Sequence, residues 1–442
     1  MNMTMTTDVA LALEGRVAEA TAKVAVMGMG YVGLPLALAL VERGCDVQTI
    51  DVSPEKVRAV NAGRSYIRDI PAEVVQNCVA TGRLRATTDD SVLVDVDVIF
   101  VCVPTPFTLQ KEPDTSYIRD AARQIAAHLR VGQLIILRST SYPGTTEEIV
   151  RPILENTGLE VGRDIFLAFA PERVDPGNTR ITVDEVPIVV GGCDPASTGI
   201  AERFLERLTK QVIPVSSPAA AEMTKLLENV FRNVNIALVN QVAQLCDRMG
   251  LDVWEITRAA ATKPYGFMPF SPGLVGGHCI PVDPYYLAWK AREYDFHMDF
   301  IELAARVNEE MPFYVVNRLA EALHESIPRN GRERILVLGV AFKRDVDDAR
   351  CSPALKVIEL LGRRKMDVVY HDPYVSEIHV NGDRVLSQPL TRELIRSADC
   401  VLILTDHSCF DYEAIVGSAS MIFDTRNATR RVSSDREKII KL

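Results

Sequence analysis

Residues 23–57 read KVAVMGMGYVGLPLALALVERGCDVQTIDVSPEKV, and the fold is decided here. VAVMG is a short β-rich run with apolar residues on both faces, as in a strand buried in a parallel sheet. Gly28, Gly30 and Gly33 follow as G-x-G-x-x-G and open an apolar helix, and DVQTID reads as the next strand. A strand before the glycines and a helix after them is the context in which this motif binds a dinucleotide. The glycines permit a tight turn and a close backbone approach, so a pyrophosphate can sit on the helix N-terminus. Tyr31 and Val32 lie inside the turn. Asp51 ends the second strand, where its carboxylate can accept both ribose hydroxyls and would repel a 2′-phosphate, which favours NAD over NADP. Lys56 and Arg58 nearby soften that preference. The competing reading is a turn used for packing alone.

Working outward, DVDVIFVCVPTP and GQLIILRSTSYPGT repeat the pattern of an apolar strand ending in a polar, Pro-containing loop. Strands alternating with helices predict βαβ units and a parallel sheet. Thr105 and Thr140 stand at strand carboxyl ends, where open α/β sheets bind ligands. From about Ala219 to Met249 the chain has helical periodicity without Gly or Pro. More helix follows to about Leu323, broken by a Gly/Pro-rich loop around Cys279. RILVLGVAFKRDVDDARCSPALKVIELLGRRKMDVVYHDPYV then repeats the opening layout, down to an aspartate, Asp372, closing its second strand. SADCVLILTDHS echoes DVDVIFVCVPTP. The expected fold is α/β: two Rossmann-like doubly wound domains joined by a central helical domain with a long helix. The boundaries read as an N-terminal extension at 1–21, a nucleotide-binding domain at 22–214, the helical domain at 215–328 and a second Rossmann-like domain at 329–442.

Composition narrows the function. Of the 442 residues 47% are hydrophobic, as in a well-packed globular protein, and the net charge of −10 argues against a nucleic-acid surface. A local cluster of Lys and Arg could still hold an anionic small ligand. The nine cysteines are scattered, with no CxxC pair or Cys/His spacing that suggests zinc, so no metal is expected. Cys45, Cys78, Cys102, Cys193, Cys246, Cys400 and Cys409 read as buried small hydrophobes in a reducing cytosol. The N-terminus has no basic region ahead of its apolar run, and no run approaches the roughly 20 residues of a membrane span. The expectation is a soluble cytoplasmic protein.

Two stretches carry chemistry. In AAAEMTKLLENVFRNVNIALVNQ, Glu222, Lys225, Asn229 and Arg232 share one helical face. An ordinary solvated stripe would look the same. However, the helix continues as NIALVNQVAQLC, nearly apolar all round, which predicts burial, and buried amide and ammonium groups need partners. A buried lysine beside a reacting hydroxyl can stabilise an alkoxide or move a proton. The second stretch, SPGLVGGHCIPVDPYYLAWK at residues 271–290, sets Cys279 in a constrained loop, where a cysteine that only fills space is unexpected.

These motifs together resemble the nucleotide-sugar 6-dehydrogenases, the UDP-glucose/GDP-mannose dehydrogenase family. GMGYVGLPLALAL, the VPTP strand end, RST followed by PGT, APERVDPGN, the K-x-x-x-N helix, GGHCIPVDPYYL and AFKRDVDDARCSPA carry the likeness from about Lys23 to the C-terminus. APERVDPGN and GGHCIPVDPYYLAWKARE look most like the branch acting on UDP-N-acetylhexosamines, UDP-N-acetylglucosamine in particular. The resemblance implies a four-electron, NAD-dependent oxidation of a C6 alcohol to a carboxylate, with Cys279 as nucleophile of a thiohemiacetal and then a thioester. It puts Lys225 and Asn229 at the oxyanion, Asp283 at general-base chemistry and Glu172 near the nicotinamide and the hydrolytic water. Thr140 is placed with both cofactor and chemistry. Arg173, Val174 and Arg232 would line the sugar pocket, and the loop from Met268 to Gly276, with Gly273 and Gly276, would wrap the nucleotide sugar. Lys343 and Arg344 would meet the diphosphate, Arg350 the NAD side and Arg426 the substrate. The family further implies a homodimer through the central helix.

Some positions depart from the family pattern. Val282 stands where many UDP-glucose enzymes have lysine, which fits the N-acetyl branch. Cys351 stands where a glutamate is common, and His278 beside the nucleophile is read as lining the pocket. UDP-N-acetylgalactosamine, UDP-N-acetylmannosamine and UDP-glucose remain alternative substrates. A β-hydroxyacid dehydrogenase shares the Rossmann domain and the Lys/Asn helix but needs no nucleophilic cysteine and no second Rossmann-like domain. A non-catalytic nucleotide-sugar sensor would not need Cys279, Lys225, Asn229 and Asp283 together.

Overall fold

The computed structural model describes residues 2–68, 70–108, 111–173, 183–326 and 332–442. By contact the chain divides into two units, Met1–Glu228 with Tyr285–Phe296, and Asn229–Pro284 with His297–Leu442. The fold is α/β, with a Rossmann-like sheet in each unit and a long helix in the central part of the chain.

The first unit is built on eight strands: β1 Val24–Met27, β2 Val47–Ile50, β3 Leu84–Thr87, β4 Val98–Val101, β5 Leu134–Leu137, β6 Phe166–Phe169, β7 Ile188–Gly192 and β8 Val212–Pro214. Their order is β3-β2-β1-β4-β5-β6-β7-β8, parallel throughout except between β6 and β7. The strand order reverses between β1 and β4. Open sheets of this kind bind ligands at the carboxyl ends of the strands flanking that reversal. All four residues of β1, β4, β5 and β6 are buried, which is why these runs are apolar on both faces rather than alternating.

Helix α1, Asn2–Ala18, occupies much of the stretch read as an extension. Leu13 and Val17, one turn apart, are buried in the core of this sheet, and the Arg16 guanidinium pairs with Asp97 at 3.0 Å. The segment is thus part of the first unit, because an apolar i, i+4 pair gives a helix something to bury. Helix α2, Gly33–Glu42, opens on the last glycine of the motif, and α3, Pro195–Leu205, is capped by Asp194 accepting from the Ser197 N–H at 2.9 Å.

Helix α4, Pro218–Met249, runs through the division between the units. The expectation that it is buried all round is corrected. Glu222, Lys225, Asn229, Asn233 and Asn240 are buried, yet Met223, Leu227, Phe231, Leu238, Val242, Leu245 and Met249 form an exposed apolar stripe. Apolar composition gives no orientation; here Glu222 and the asparagines face inward because they have acceptors and donors there. Helix α5, Asp283–Ala291, and helix α6, Asp299–Ser326, are further helices of the central part of the chain.

The second unit carries the sheet β10-β9-β13-β14-β15, all parallel: β9 Arg334–Leu338, β10 Asp367–His371, β13 Cys400–Ile403, β14 Ile422–Asp424 and β15 Ile439–Lys441. Strands β11, Glu377–Val380, and β12, Asp383–Leu386, form a separate hairpin. Helix α7, Pro353–Arg363, follows the loop after β9. Here the reversal falls between β9 and β13, so the ligand-binding rule points to the loops after Leu338 and Ile403, which hold Lys343, Arg344 and the TDHS run. No helix among the described residues is long and apolar enough to cross a membrane. Six of the seven cysteines read as buried are buried or half-buried, but Cys409 is exposed. It lies in the loop that leaves β13 at its carboxyl end, beyond the apolar strand that suggested burial.

Candidate active site

In the first unit the predicted cofactor residues gather at the β1/β4 reversal. Gly28 has φ +90°, and a Cβ there would come within 2.5 Å of the Cys102 carbonyl oxygen; a Cβ on Gly33 would come within 1.8 Å of the Gly28 carbonyl oxygen. Both positions exclude any larger residue. A Cβ on Gly30 would meet nothing within 4 Å, so the backbone there is open to a ligand. Tyr31 is exposed and Val32 half-buried at the start of α2. The Asp51 carboxylate accepts from the Met29 N–H at 2.7 Å and the Ser53 N–H at 2.9 Å, and pairs with the Lys56 ammonium at 3.1 Å. It therefore shapes the glycine turn as well as standing where a ribose would bind. These residues fit NAD: an open glycine turn, a helix N-terminus and an acidic residue at the end of β2. Thr105, after β4, is held through its carbonyl oxygen, which accepts from the Tyr286 hydroxyl.

Beside this edge lies a pair that the motif reading missed. Arg138, the first residue after β5, is buried, and its Nη2 donates to the Glu172 carboxylate at 2.6 Å. Its Nε and Nη1 are buried with no acceptor among the described residues. Each unmet donor costs about 1–3 kcal/mol unless something supplies an oxygen. Nearby, burial pushes the Cys102 thiol up to about 12, which keeps it neutral. Thr140 is half-buried two residues on from Arg138. The available signal was a charged residue closing the apolar run LIIL. Arg173, expected at the sugar pocket, pairs instead with Glu228 at 2.6 Å and donates to the Pro187 carbonyl at 2.6 Å. Val174 lies outside the described residues.

On α4, Glu222 accepts from the N–H groups of Gly144 and Thr146 at 2.6 and 2.9 Å and from the Thr146 hydroxyl at 2.6 Å. It thereby fastens the PGT turn to the helix. Burial raises its carboxyl to about 7. Lys225, one turn on, is buried, and no described residue pairs with its ammonium. An unpaired buried cation calls for an anionic or strongly accepting ligand.

In the second unit the residues of α4 hold the cysteine loop. The Asn229 amide donates to Asp283, and its carbonyl accepts from Arg232. Asn233 Nδ2 donates to the Ile280 carbonyl at 3.0 Å, and Asn240 Oδ1 accepts from the Gly273 N–H at 2.7 Å. The Cys279 carbonyl caps the start of α5 by accepting from the Val282 and Asp283 N–H groups at 3.1 and 2.9 Å, and Cys279 itself is exposed. The loop thus runs antiparallel to the helix, pinned at residues 273, 280 and 283 by asparagines at 240, 233 and 229. Asn229 was read from the sequence, whereas Asn233 and Asn240 were not.

The loop is also fitted to the segment after β9. A Cβ on Gly276 would come within 2.6 Å of Pro353 Cδ. His278 Nε2 meets Asp348 at 2.9 Å, and Arg350 grips the same carboxylate at 2.7 Å. Arg350, expected on the NAD side, is thus a partner of Asp348 in the second unit. Arg344 pairs with Asp406, and Arg426 reaches the Leu274 carbonyl at 3.3 Å, so Arg426 lies against the loop at Gly273. A small cleft lined by Leu274, Phe342, Pro353, Leu404, Thr405 and Arg426 opens there. Among the described residues no group of three or more His, Cys, Asp or Glu could hold a metal ion.

The His278–Asp348 contact is pH-dependent. Bonding to Asp348, then to Cys351, raises the imidazole to about 9. Burial pushes the Asp348 carboxyl up, but its bonds from His278 and Arg350 outweigh this and hold it well below the usual range. A raised histidine contributes stability fully below its unfolded value of about 6.5 and loses it as pH rises through about 9. The depressed Asp348 contributes above about pH 3.9 and loses its share as pH falls through its lowered value. The dock should therefore be strongest from about pH 4 to 6.5 and weaken toward 9. In Asp348→Asn the His278 titration, followed by the NMR shift of its ring proton, should fall toward about 6.5; a midpoint unchanged by the substitution would mean that Asp348 is not its partner.

Residues 22–211, 219–310 and 336–431 match the NAD-binding, central and UDP-binding domains of the UDP-glucose/GDP-mannose dehydrogenase family. The chain is 37% identical over 415 residues to the UDP-N-acetyl-D-mannosamine dehydrogenase of Pyrococcus horikoshii, covering 92% of this chain and 95% of that one. It is 35% identical over 356 residues to the UDP-N-acetyl-D-glucosamine 6-dehydrogenase of Pseudomonas aeruginosa, with 80% and 83% covered. The solved structure of a Pyrococcus horikoshii UDP-D-ManNAc dehydrogenase superposes with a TM-score of 0.85 at 34% identity, covering 95% of this chain and 98% of that one. The chain belongs to the UDP-glucose/GDP-mannose dehydrogenase family and is an NAD-dependent nucleotide-sugar 6-dehydrogenase.

Proposed function

We propose that the enzyme oxidises the C6 hydroxyl of a UDP-N-acetylhexosamine to the uronic acid through covalent intermediates on Cys279. The observation that carries this reading is the cysteine loop pinned along α4, with Asp283 bonded to Asn229 and the Cys279 carbonyl capping α5. An enzyme stopping at the aldehyde would need no cysteine held in this way. The motifs of the sequence put UDP-N-acetylglucosamine first. The names of the relatives from Pyrococcus horikoshii move the weight to UDP-N-acetylmannosamine, and the Pseudomonas aeruginosa relative keeps UDP-N-acetylglucosamine as the second reading.

NAD, when bound, supplies the hydride acceptor, one molecule for each of two oxidations. It would be held by the turn Gly28–Gly33 with Tyr31 and Val32, by Asp51 and Lys56, and by Thr105 and Thr140. Lys225 stabilises the C6 alkoxide and then the oxyanion of the aldehyde adduct, its buried ammonium being unpaired by any described residue. Cys279 as thiolate adds to the aldehyde carbon; a C–S bond forms and the oxyanion takes a proton, giving the thiohemiacetal. After the second hydride leaves, the thioester remains. Water then attacks the carbonyl carbon, the C–S bond breaks, sulfur departs as thiolate and the carboxylate is released. The balance is alcohol plus water plus two hydride acceptors to carboxylate, two reduced acceptors and three protons. Asn229 supports the oxyanion, Asp283 takes the proton of the reacting hydroxyl or water, and Glu172 orients the hydrolytic water. Lys343 and Arg344 meet the diphosphate, a dianion suited to clustered cations. Arg232, Gly273, Gly276 and Arg426 would line the sugar and nucleotide.

A second copy of the chain would cover the exposed apolar stripe of α4, in which Leu227, Leu238, Leu245 and Met249 are each more than half exposed. Sedimentation equilibrium should give a dimer, and Leu227→Glu with Leu245→Glu should give a monomer; a wild-type monomer would exclude this interface.

With UDP-N-acetylmannosamine in limiting amount, the wild type should produce two NADH for each sugar, and Cys279→Ser should lose the overall turnover by at least about 1,000-fold. One NADH for each sugar, or a serine variant as active as the parent, would sink the thioester route. Reaction with UDP-glucose alone would keep the mechanism and overturn the substrate.

A further inference from the structure

We infer that His407 is a positioning residue for the nucleotide, a neutral imidazole that latches the loop carrying Lys343 and Arg344 in place for the diphosphate. The inference rests on the reading above that these two cations meet the diphosphate, and it concerns the second unit alone.

His407 is fully buried and follows β13, at the reversal between β9 and β13 where such a sheet binds its ligand. Its Nδ1 accepts from the Asp345 N–H at 3.0 Å. The ring proton therefore belongs to Nε2, which donates to Asp372 at 3.1 Å. The Asp345 carboxylate lies farther from Nδ1, at 3.7 Å, and accepts from the Ser408 N–H at 2.8 Å. Asp372 in turn accepts from the Val340 and Ala341 N–H groups at 2.7 and 3.0 Å. The rings of Tyr374 and Phe410 pack edge-on at 4.9 and 5.5 Å, which keeps the imidazole in this orientation. One side chain thus ties both ends of residues 340–345, and Lys343 and Arg344 stand between the ties.

The residues before His407 work in the same direction. The Thr405 hydroxyl donates to the Ala341 carbonyl at 2.7 Å, and the Asp406 carboxylate pairs with Arg344. Three successive residues after β13 therefore grip the loop after β9. The two loops lie so close that a Cβ on Gly339 would come within 2.5 Å of the Thr405 carbonyl oxygen. Asp345 has φ +61°, a left-handed conformation that a residue other than glycine keeps only where its surroundings hold it. Arg344 is 44% exposed, so the buried polar ties beneath it, rather than packing, fix the backbone from which it reaches out. A loop fixed before the anion arrives binds it with less ordering cost.

Calorimetric titration of the full chain with UDP and with uridine separates the diphosphate from the nucleoside. The wild type should bind UDP far more tightly than uridine, and Lys343→Met and Arg344→Met should each lose much of that difference. His407→Leu should weaken UDP by about 10-fold, of the order of one charge-assisted bond, and leave uridine unchanged. His407→Asn, which sets an oxygen near the place of Nδ1, should recover part of the loss. In turnover with NAD and UDP-N-acetylmannosamine the loss should appear in KM for the sugar nucleotide rather than in kcat. His407→Leu is close to the native volume and leaves Asp372 the N–H groups of Val340, Ala341, Tyr374 and Val375, so the variant should fold. Asp345→Gly, which keeps the left-handed backbone and removes the carboxylate that holds Ser408, tests the same latch if it does not. The two substitutions together should cost little more than the larger single loss. A wild type that binds uridine as well as UDP, or cation variants without effect, would defeat the diphosphate reading and the inference with it. Cation variants that lose UDP, with His407 and Asp345 variants that keep it, that lose uridine equally or whose losses add in full, would overturn the inference alone.

Discussion

The proposed chemistry depends on how a short loop is held against a helix. Asparagines at 229, 233 and 240 of α4 bond to Asp283, to the Ile280 carbonyl and to the Gly273 N–H. Cys279 is thus exposed on a backbone that is fixed on both sides. Buried amides must be satisfied, and here the loop satisfies them. Helix α4 therefore combines polar fixation with apolar packing on its buried side, and a second set of apolar residues is turned outward. The same helix carries Lys225 one turn before Asn229 and fastens the PGT turn through Glu222. The burial of Lys225 and the fixed backbone on both sides of Cys279 thus both involve this one helix.

Both sheets use a common device to shape the loop after their first strand. Asp51 closes β2 and accepts from the Met29 N–H at 2.7 Å; Asp372 follows β10 and accepts from the Val340 N–H at 2.7 Å. Their surroundings differ. Asp372 also accepts from Ala341, Tyr374 and Val375 and pairs with the fully buried His407, so its carboxylate is consumed by the fold. Asp51 holds two backbone N–H groups and the partly exposed Lys56. One loop is a glycine turn open to a pyrophosphate at a helix N-terminus, whereas the other carries Lys343 and Arg344. The same architecture thus offers a dipole at one edge and point charges at the other.

The legible parts of the sequence were those in which local spacing determines geometry. Gly28, Gly30, Gly33 and Asp51 could be read because turn, helix and strand follow one another within thirty residues or so, the span of a βαβ unit. Cys279 stood out because glycines and prolines constrain it. Arg138 was not legible, since its meaning comes from burial and from Glu172 in the loop after the neighbouring strand β6. Asn233 and Asn240 were hidden in the same way: three asparagines on a helix acquire a role only when a distant loop lies along them. The orientation of α4 was misread because its outer face is as apolar as its inner one, so composition could not say which was which. Residues 2–18 looked like an extension until the burial of Leu13 and Val17 made them part of the first unit.

The central claim is that the pinned loop presents Cys279 as the atom to which the sugar becomes attached. Mass spectrometry of enzyme quenched during turnover with NAD and UDP-N-acetylmannosamine, followed by digestion, tests it directly. The account predicts that the peptide containing Cys279 carries the mass of the uronoyl group, that hydroxylamine removes it, and that no other cysteine is modified. Steady production of carboxylate with every Cys279 peptide recovered as unmodified thiol would contradict it.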